Sequence, residues 1–289
     1  VAVAALLWSL GGVLIKLAAW SPLGIASVRS AIAAFVIGGF LRWRTRRMPR
    51  ILPRSRAAWG AALGYAATVV LFVWATKLTA AANAIVLQYS SPLFVAIAGH
   101  YVLGERVRLI EWSMLAVMVV GVVLLFAEQL SPTGMVGNAL GLASGVAMAI
   151  MTLSVRAERE GSALEALVTG NLLAALVGVG TWGELPQLDA QTLAVLGVLG
   201  VVQLGVPYIL FARALRSVRA IEAVMLAMLE PIANPLWVLL AIGERPSMMA
   251  ALGGILVLGA ISIRAILSYW GSASEEDSGS ADSSGGTSP

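Results

Sequence analysis

A few polar residues in this chain lie deep inside long apolar stretches, where an ionisable group costs about 2.5–3.5 kcal/mol or more and therefore needs a reason. Glu230 is the clearest, at the middle of the apolar stretch 219–242. A carboxyl at that depth can carry a proton or, ionised, hold the ammonium group of a substrate. The competing reading is structural: Pro231 leaves a carbonyl one turn back without a donor, and a Glu-Pro pair then packs a helix kink. Arg29, midway along 22–41, stays charged and must find a carboxylate, a carbonyl cluster or a substrate anion. It is the natural counter-charge of Glu230, either as a static pair or as a ligand contact. Lys16 lies within a turn of the end of its stretch, where it either snorkels to the surface or serves an outer gate.

Uncharged polar residues extend this set. Gln88, Tyr89, Ser90 and Ser91 run straight into Pro92; Gln88 and Ser91, three apart on a helix, share a face fit to line a cavity, while Tyr89 packs between helices. Tyr65 and Thr68 share a face in the same way. Gln203 and Pro207 mark the middle of the eighth stretch, with Tyr208 turned away from Pro207 by about 100°. Trp8 and Trp237 fall deeper than the other tryptophans, and Trp8 joins the candidate cavity residues. Pro92, Pro207 and Pro231 mark the expected helix kinks.

Most reaction chemistry is excluded. The chain has no cysteine, hence no disulfide, thiol nucleophile or zinc thiolate site. Its single histidine, His100, sits near the polar end of a stretch, at a different depth from Glu230, so a multi-histidine metal site or a histidine triad is not expected. Neither Lys16 nor Lys77 follows a glycine, so the phosphate cradle of an ATPase is missing. An intramembrane enzyme would need a nucleophile with a base or paired acids at one depth, and Glu230 is the one clear central acid. The expectation is no catalytic residue, no metal and no cofactor.

These side chains need elements that hold them in lipid. With 59% hydrophobic and 12% charged residues and a mean hydropathy of +0.90, the chain has too little polar surface for a soluble domain. Ten apolar stretches are long enough to span a hydrocarbon core: 2–19, 22–41, 57–76, 80–103, 109–127, 136–155, 163–182, 192–213, 219–242 and 248–268. Backbone groups have no partner in lipid, so the spans must be helices, and the expected class is an all-α integral membrane protein. The polar tail 272–289 is expected to be disordered. With ten spans, fifteen basic residues fall on one side, seven of them in the 42–56 loop, against Lys16, Lys77 and Arg245 on the other. The bias puts both termini in the cytoplasm, and it explains the arginine loop by orientation and lipid headgroup contact rather than by nucleic acid.

The chain also repeats itself. An offset of 139 aligns Leu71-Phe72 with Leu210-Phe211, Pro92 with Pro231, and Gly104-Glu105-Arg106 with Gly243-Glu244-Arg245, with ten identities in 36 positions. Two five-span copies, 1–127 and 136–268, follow, and because five is odd the second is inverted in the membrane. Inverted repeats are a transporter architecture, since they let one central site open alternately to either side. The twice-used Gly-Glu-Arg reads as a tight turn with a helix-end charge pair.

Trp8-Ser9 leading to Lys16, Leu71-Phe72 with Ala75 and Lys77, Ser91-Pro92-Leu93-Phe94 followed by Gly104-Glu105-Arg106, and Leu229-Glu230-Pro231 followed by Gly243-Glu244-Arg245 resemble the EamA domains of the drug/metabolite transporter superfamily. The sixth stretch departs from that pattern, with Met148 where tryptophan is expected. The resemblance implies a ten-helix inner-membrane carrier with a cavity between the repeats, often an exporter of amino acids or related metabolites. Its partners would be a small-molecule substrate, membrane lipids and, through Glu230, protons, with the oligomeric state left open. The alternatives are a lipophilic cation or drug efflux carrier, and a uniporter or channel without proton coupling.

Overall fold

The computed structural model describes residues 1–11, 14, 20–79, 81–130, 132–158, 163–184, 190–242 and 247–263. Lys16, the triplet Gly243-Glu244-Arg245 and the 272–289 tail lie outside the described residues. Among the described residues the chain is helical without strands, as backbone in lipid requires.

The helices are α1 (Ala2–Trp8), α2 (Pro22–Thr45), α3 (Arg56–Leu78), α4 (Ala81–Gln88), α5 (Ser91–Leu103), α6 (Leu109–Leu125), α7 (Met135–Ala157), α8 (Ala163–Gly178), α9 (Ala190–Val198), α10 (Val206–Ala214), α11 (Ala220–Ala227), α12 (Leu229–Ile242) and α13 (Met248–Ile263). A π segment, Leu199–Gly205, joins α9 to α10. Six runs, Leu23–Thr45, Arg56–Leu78, Asn83–Leu103, Met135–Ala157, Ala163–Gly183 and Ala190–Ala214, are long and apolar enough to cross a membrane, with α6 and α13 shorter apolar helices.

Local chemistry sets the ends. Ser21 and Ser55 cap α2 and α3, each hydroxyl accepting the backbone N–H of the third residue on, Gly24 at 3.2 Å and Ala58 at 2.9 Å. Arg42 and Arg44 occupy the last turn of α2, opposite the negative end of its dipole. Gly104, at φ 70°, closes α5 in the left-handed conformation that glycine adopts without strain.

Three helical runs are interrupted. Tyr89 and Ser90 break the path from α4 to α5, and Met228 breaks it from α11 to α12. The bounds of α4 and α11, Ala81–Gln88 and Ala220–Ala227, are related by the same offset of 139 that aligns the sequences. In the π segment the Val206 N–H bonds the Val201 carbonyl five residues back. Pro207 explains the wide turn, because it has no N–H to offer the Gln203 carbonyl in an ordinary α turn.

Small residues let the helices close. A Cβ on Gly64 of α3 would stand 2.8 Å from the Met151 backbone nitrogen of α7. Gly137 and Gly145 of α7 lie equally tightly against Leu78–Thr79 and against Gln88–Ser90, and Gly141 touches Ala84. Gly200 and Gly205 admit Ile32 and Val36 of α2, and Gly121 of α6 admits Val257 of α13. Phe35, Ile97, Val120, Leu176, Leu193, Leu240 and Ile255 stay exposed, an apolar exterior suited to lipid.

Candidate functional site

The central polar cluster begins with Arg29. It is only 7% exposed on α2, where Ile32 one turn on packs into the gap left by Gly200 of the π segment. The Arg29 Nη1 donates to Gln203 Oε1 at 3.3 Å, and Gln203 Nε2 donates to the Trp8 carbonyl at 3.2 Å. One glutamine thus ties α2 to α1 through the π segment. Gly11 leaves room for it, since a Cβ there would come 2.9 Å from Gln203 Nε2.

Aromatic rings wall this cluster. The Trp8 ring packs on Tyr208 and Phe211 of α10, with centroids 5.0 and 5.3 Å apart, and Tyr208 meets Tyr65 of α3 edge-on. The Tyr65 hydroxyl donates to Asn171 Oδ1 at 2.8 Å, and Asn171 Nδ2 donates to the Leu167 carbonyl within α8.

Glu230 stands in the first turn of α12 and Tyr89 at the break between α4 and α5, and their side chains lie close enough to interact. Glu230 also lies within electrostatic reach of Arg29 and Tyr208. Arg29 and Glu230 are not joined as an ion pair among the described residues, where ion pairs include Arg156–Glu105, Arg219–Glu111 and Arg219–Glu222. A buried positive charge and a half-buried negative one therefore sit in one cluster with tyrosines around them.

The structure brings together Trp8, Arg29, Tyr65, Gln203 and Glu230, and holds Gln88 and Thr68 elsewhere. Gln88 Nε2 donates to Ser144 Oγ of α7 at 2.8 Å, and Ser144 Oγ donates to the Thr68 carbonyl at 3.0 Å. The Thr68 hydroxyl bonds back to the Gly64 carbonyl. Those residues tie α3, α4 and α7 together. Ser91 is 1% exposed and its hydroxyl has no hydrogen-bond partner among the described residues. Tyr89 and Tyr208, which helical spacing turned away, both lie within electrostatic reach of Glu230. Pro92 lies at the start of α5, Pro231 in the first turn of α12 and Pro207 at the start of α10, each just past an interruption.

A second polar cluster closes one end of the bundle, where α5, α7, α10 and α11 terminate. Arg156 donates to Glu105 Oε1 at 3.0 Å and to the carbonyls of Leu215 and Arg216 at 2.9 and 3.0 Å. The other Glu105 oxygen accepts the Ala220 N–H at the start of α11. Arg219 reaches Glu111 Oε1 at 2.7 Å and the Arg106 carbonyl. A cleft of about 600 Å³ opens beside this clasp, lined by Val102, Leu103, Glu105, Arg156, Glu158 and Arg216. The described residues contain no cluster of acidic or histidine side chains fit to hold a metal.

Comparison with known proteins agrees with this architecture. The model of the EamA-like transporter family matches residues 1–127 and again 135–265. An uncharacterized transporter of Archaeoglobus fulgidus (strain ATCC 49558 / DSM 4304 / JCM 9628 / NBRC 100126 / VC-16) is 27% identical over 201 residues, 68% of this chain and 71% of its own. A solved crystal structure, described only as that of a protein, superposes with a TM-score of 0.79 at 19% identity, covering 91% of this chain and 95% of its own, a likeness of fold.

Proposed function

Because this chain belongs to the EamA-like transporter family and is a membrane transporter, we propose that it is a secondary carrier exporting small metabolites, amino acids or related compounds, by alternating access around the Arg29–Glu230 cluster. Ten helical spans, arranged as inverted repeats 1–127 and 136–268, would sit in the inner membrane with both termini cytoplasmic.

One observation carries the reading: a buried Arg29 and a half-buried Glu230 sit within electrostatic reach of each other without being joined as an ion pair. Structural ion pairs in lipid are expected to meet, whereas a site that exchanges ligands must leave its charges available. Support for the repeats comes from the matched bounds of α4 and α11 and the breaks that follow them. The packing supports them too, because α2 meets α8 and α6 meets α13, each helix against its own repeat equivalent. On this orientation the Arg156 clasp closes the cytoplasmic end, and the cleft beside it is the inner mouth.

Glu230 is the group suited to exchange a proton for substrate. Protein reconstituted in liposomes, with a pH gradient and a panel of amino acids and organic cations, tests this. Glu230→Gln keeps the shape but cannot release a proton, so uphill transport should stop while counterflow exchange persists. Wild-type uphill transport by the Gln variant would leave Glu230 a kink residue, and wild-type counterflow without any uphill phase would make the protein a uniporter. The rings of Trp8, Tyr65, Tyr208 and Phe211 near one acid also favour a second reading, efflux of lipophilic cations.

A further inference from the structure

Arg29 and Trp8 hold donors that the fold does not use. The described bond of the Arg29 side chain, to Gln203, is long at 3.3 Å and has a neutral acceptor, although a guanidinium carries five N–H groups. Its Nε is buried with no partner among the described residues, and so is the indole Nε1 of Trp8, which is 5% exposed. Both residues hang on one side chain: Gln203 accepts from Arg29 and donates to the Trp8 backbone. A permanent charge with an unused N–H, tied through Gln203 to a residue that carries a second unused N–H, has the donor set of an oxyanion site.

We propose that Arg29 and the Trp8 indole bind the carboxylate of a zwitterionic substrate, that Gln203 is the positioning residue holding the guanidinium towards it, and that Glu230 takes the ammonium end. The proposal rests on the carrier reading above and assigns its polarity. Tyr65 and Tyr208, packed edge-on to each other, both lie within electrostatic reach of Arg29. The subsite also decides between the two substrate classes. An amine without a carboxylate leaves the Arg29 charge uncompensated and repels its own charge from it, so the site selects against simple lipophilic cations.

The test uses the full chain in lipid nanodiscs and liposomes. Leucine, threonine and phenylalanine are each compared with their carboxamides and their decarboxylated amines, by equilibrium binding and by counterflow. Charge-assisted bonds lost with the carboxylate should make the preferred acid bind about 10-fold or more tightly than its amide. Trp8→Phe keeps the ring packing and loses the donor, Arg29→Lys keeps the charge and loses the fork, and Gln203→Met releases the fork. All three variants should shrink the acid-to-amide ratio towards one. Equal binding of acid and amide by the wild type overturns the subsite, as do variants that weaken acid, amide and amine by the same factor. Exchange of the amines but not the acids overturns the subsite and leaves the carrier standing, whereas no binding or exchange of any compound defeats both. Tighter binding of phosphoethanolamine than of β-alanine would transfer the site to phosphate and overturn the carboxylate assignment.

Discussion

The ring of Tyr65 stands edge-on to that of Tyr208, with centroids 4.7 Å apart and planes at 79°. The contact joins α3 to α10, the two helices that the 139-residue offset makes equivalents, so a single aromatic pair bridges the two halves of the sequence. Its partners on either side, Asn171 and Trp8, extend the link to α8 and α1.

Tyr65 should therefore be sensitive in a graded way. Tyr65→Phe leaves Asn171 Oδ1 without this donor in a buried place, which costs about 1–3 kcal/mol. Tyr65→Ala also empties a fully buried ring site, for about 3–5 kcal/mol. Thermal unfolding in detergent should rank wild type above Tyr65→Phe above Tyr65→Ala, and a Phe variant as damaged as the Ala variant would contradict the bond.

Gly64 should not tolerate a side chain. The nearest atoms are α7 backbone, Met151 N at 2.8 Å and the Ala147 carbonyl at 3.0 Å, which cannot rotate away. Gly64→Ala is expected to cost about 1–3 kcal/mol by forcing α3 off α7. Gly39→Ala, with nothing within 4 Å, is the control and should be neutral or slightly stabilising. Equal stabilities of the two variants would argue against the tight α3–α7 seam.

Removing the clasp should open one end. In Arg156→Gln, the Glu105 pair and the bonds to the Leu215 and Arg216 carbonyls are lost together. Because the chain has no native cysteine, a single cysteine placed at the fully buried Leu215 reports on this directly. Its labelling rate from the side of the 42–56 loop should rise several-fold in the Arg156→Gln background and stay low in the Arg44→Gln background. Unchanged labelling would mean that the clasp bears no load.

Orientation is testable with the same cysteine-free background. Leu52→Cys should react with a membrane-impermeant maleimide only after the cytoplasmic side is exposed, and Gly183→Cys should react in intact cells. The reverse pattern would invert the membrane assignment and turn the clasp into an outer gate.

How much of this was legible in the chain differs from residue to residue. The apolar runs dictate helices, because lipid leaves the backbone no other partner, and the depth of Arg29 and Glu230 along those runs marks both as residues needing a reason. The duplicated Pro92 and Pro231 likewise pointed to bends, since a missing N–H acts through the local chain alone. Which neighbours the polar groups would meet was not legible. Gln88 and Ser91 share a face only if the helix is continuous, and the break at Tyr89–Ser90 cancels that phase, sending Gln88 to Ser144 and Tyr89 to Glu230. Tyr208 turned inward for a related reason: the π segment adds a residue to the turn before it, so counting 3.6 residues per turn from Gln203 misplaces everything that follows. Composition, periodicity and proline placement are properties of one segment, and the sequence determined them. The seating of Gln203 between Arg29 and Trp8 depends on Gly200, Gly205 and Gly11 letting three separate segments approach, and contacts between segments distant in the chain were decided only by the tertiary packing.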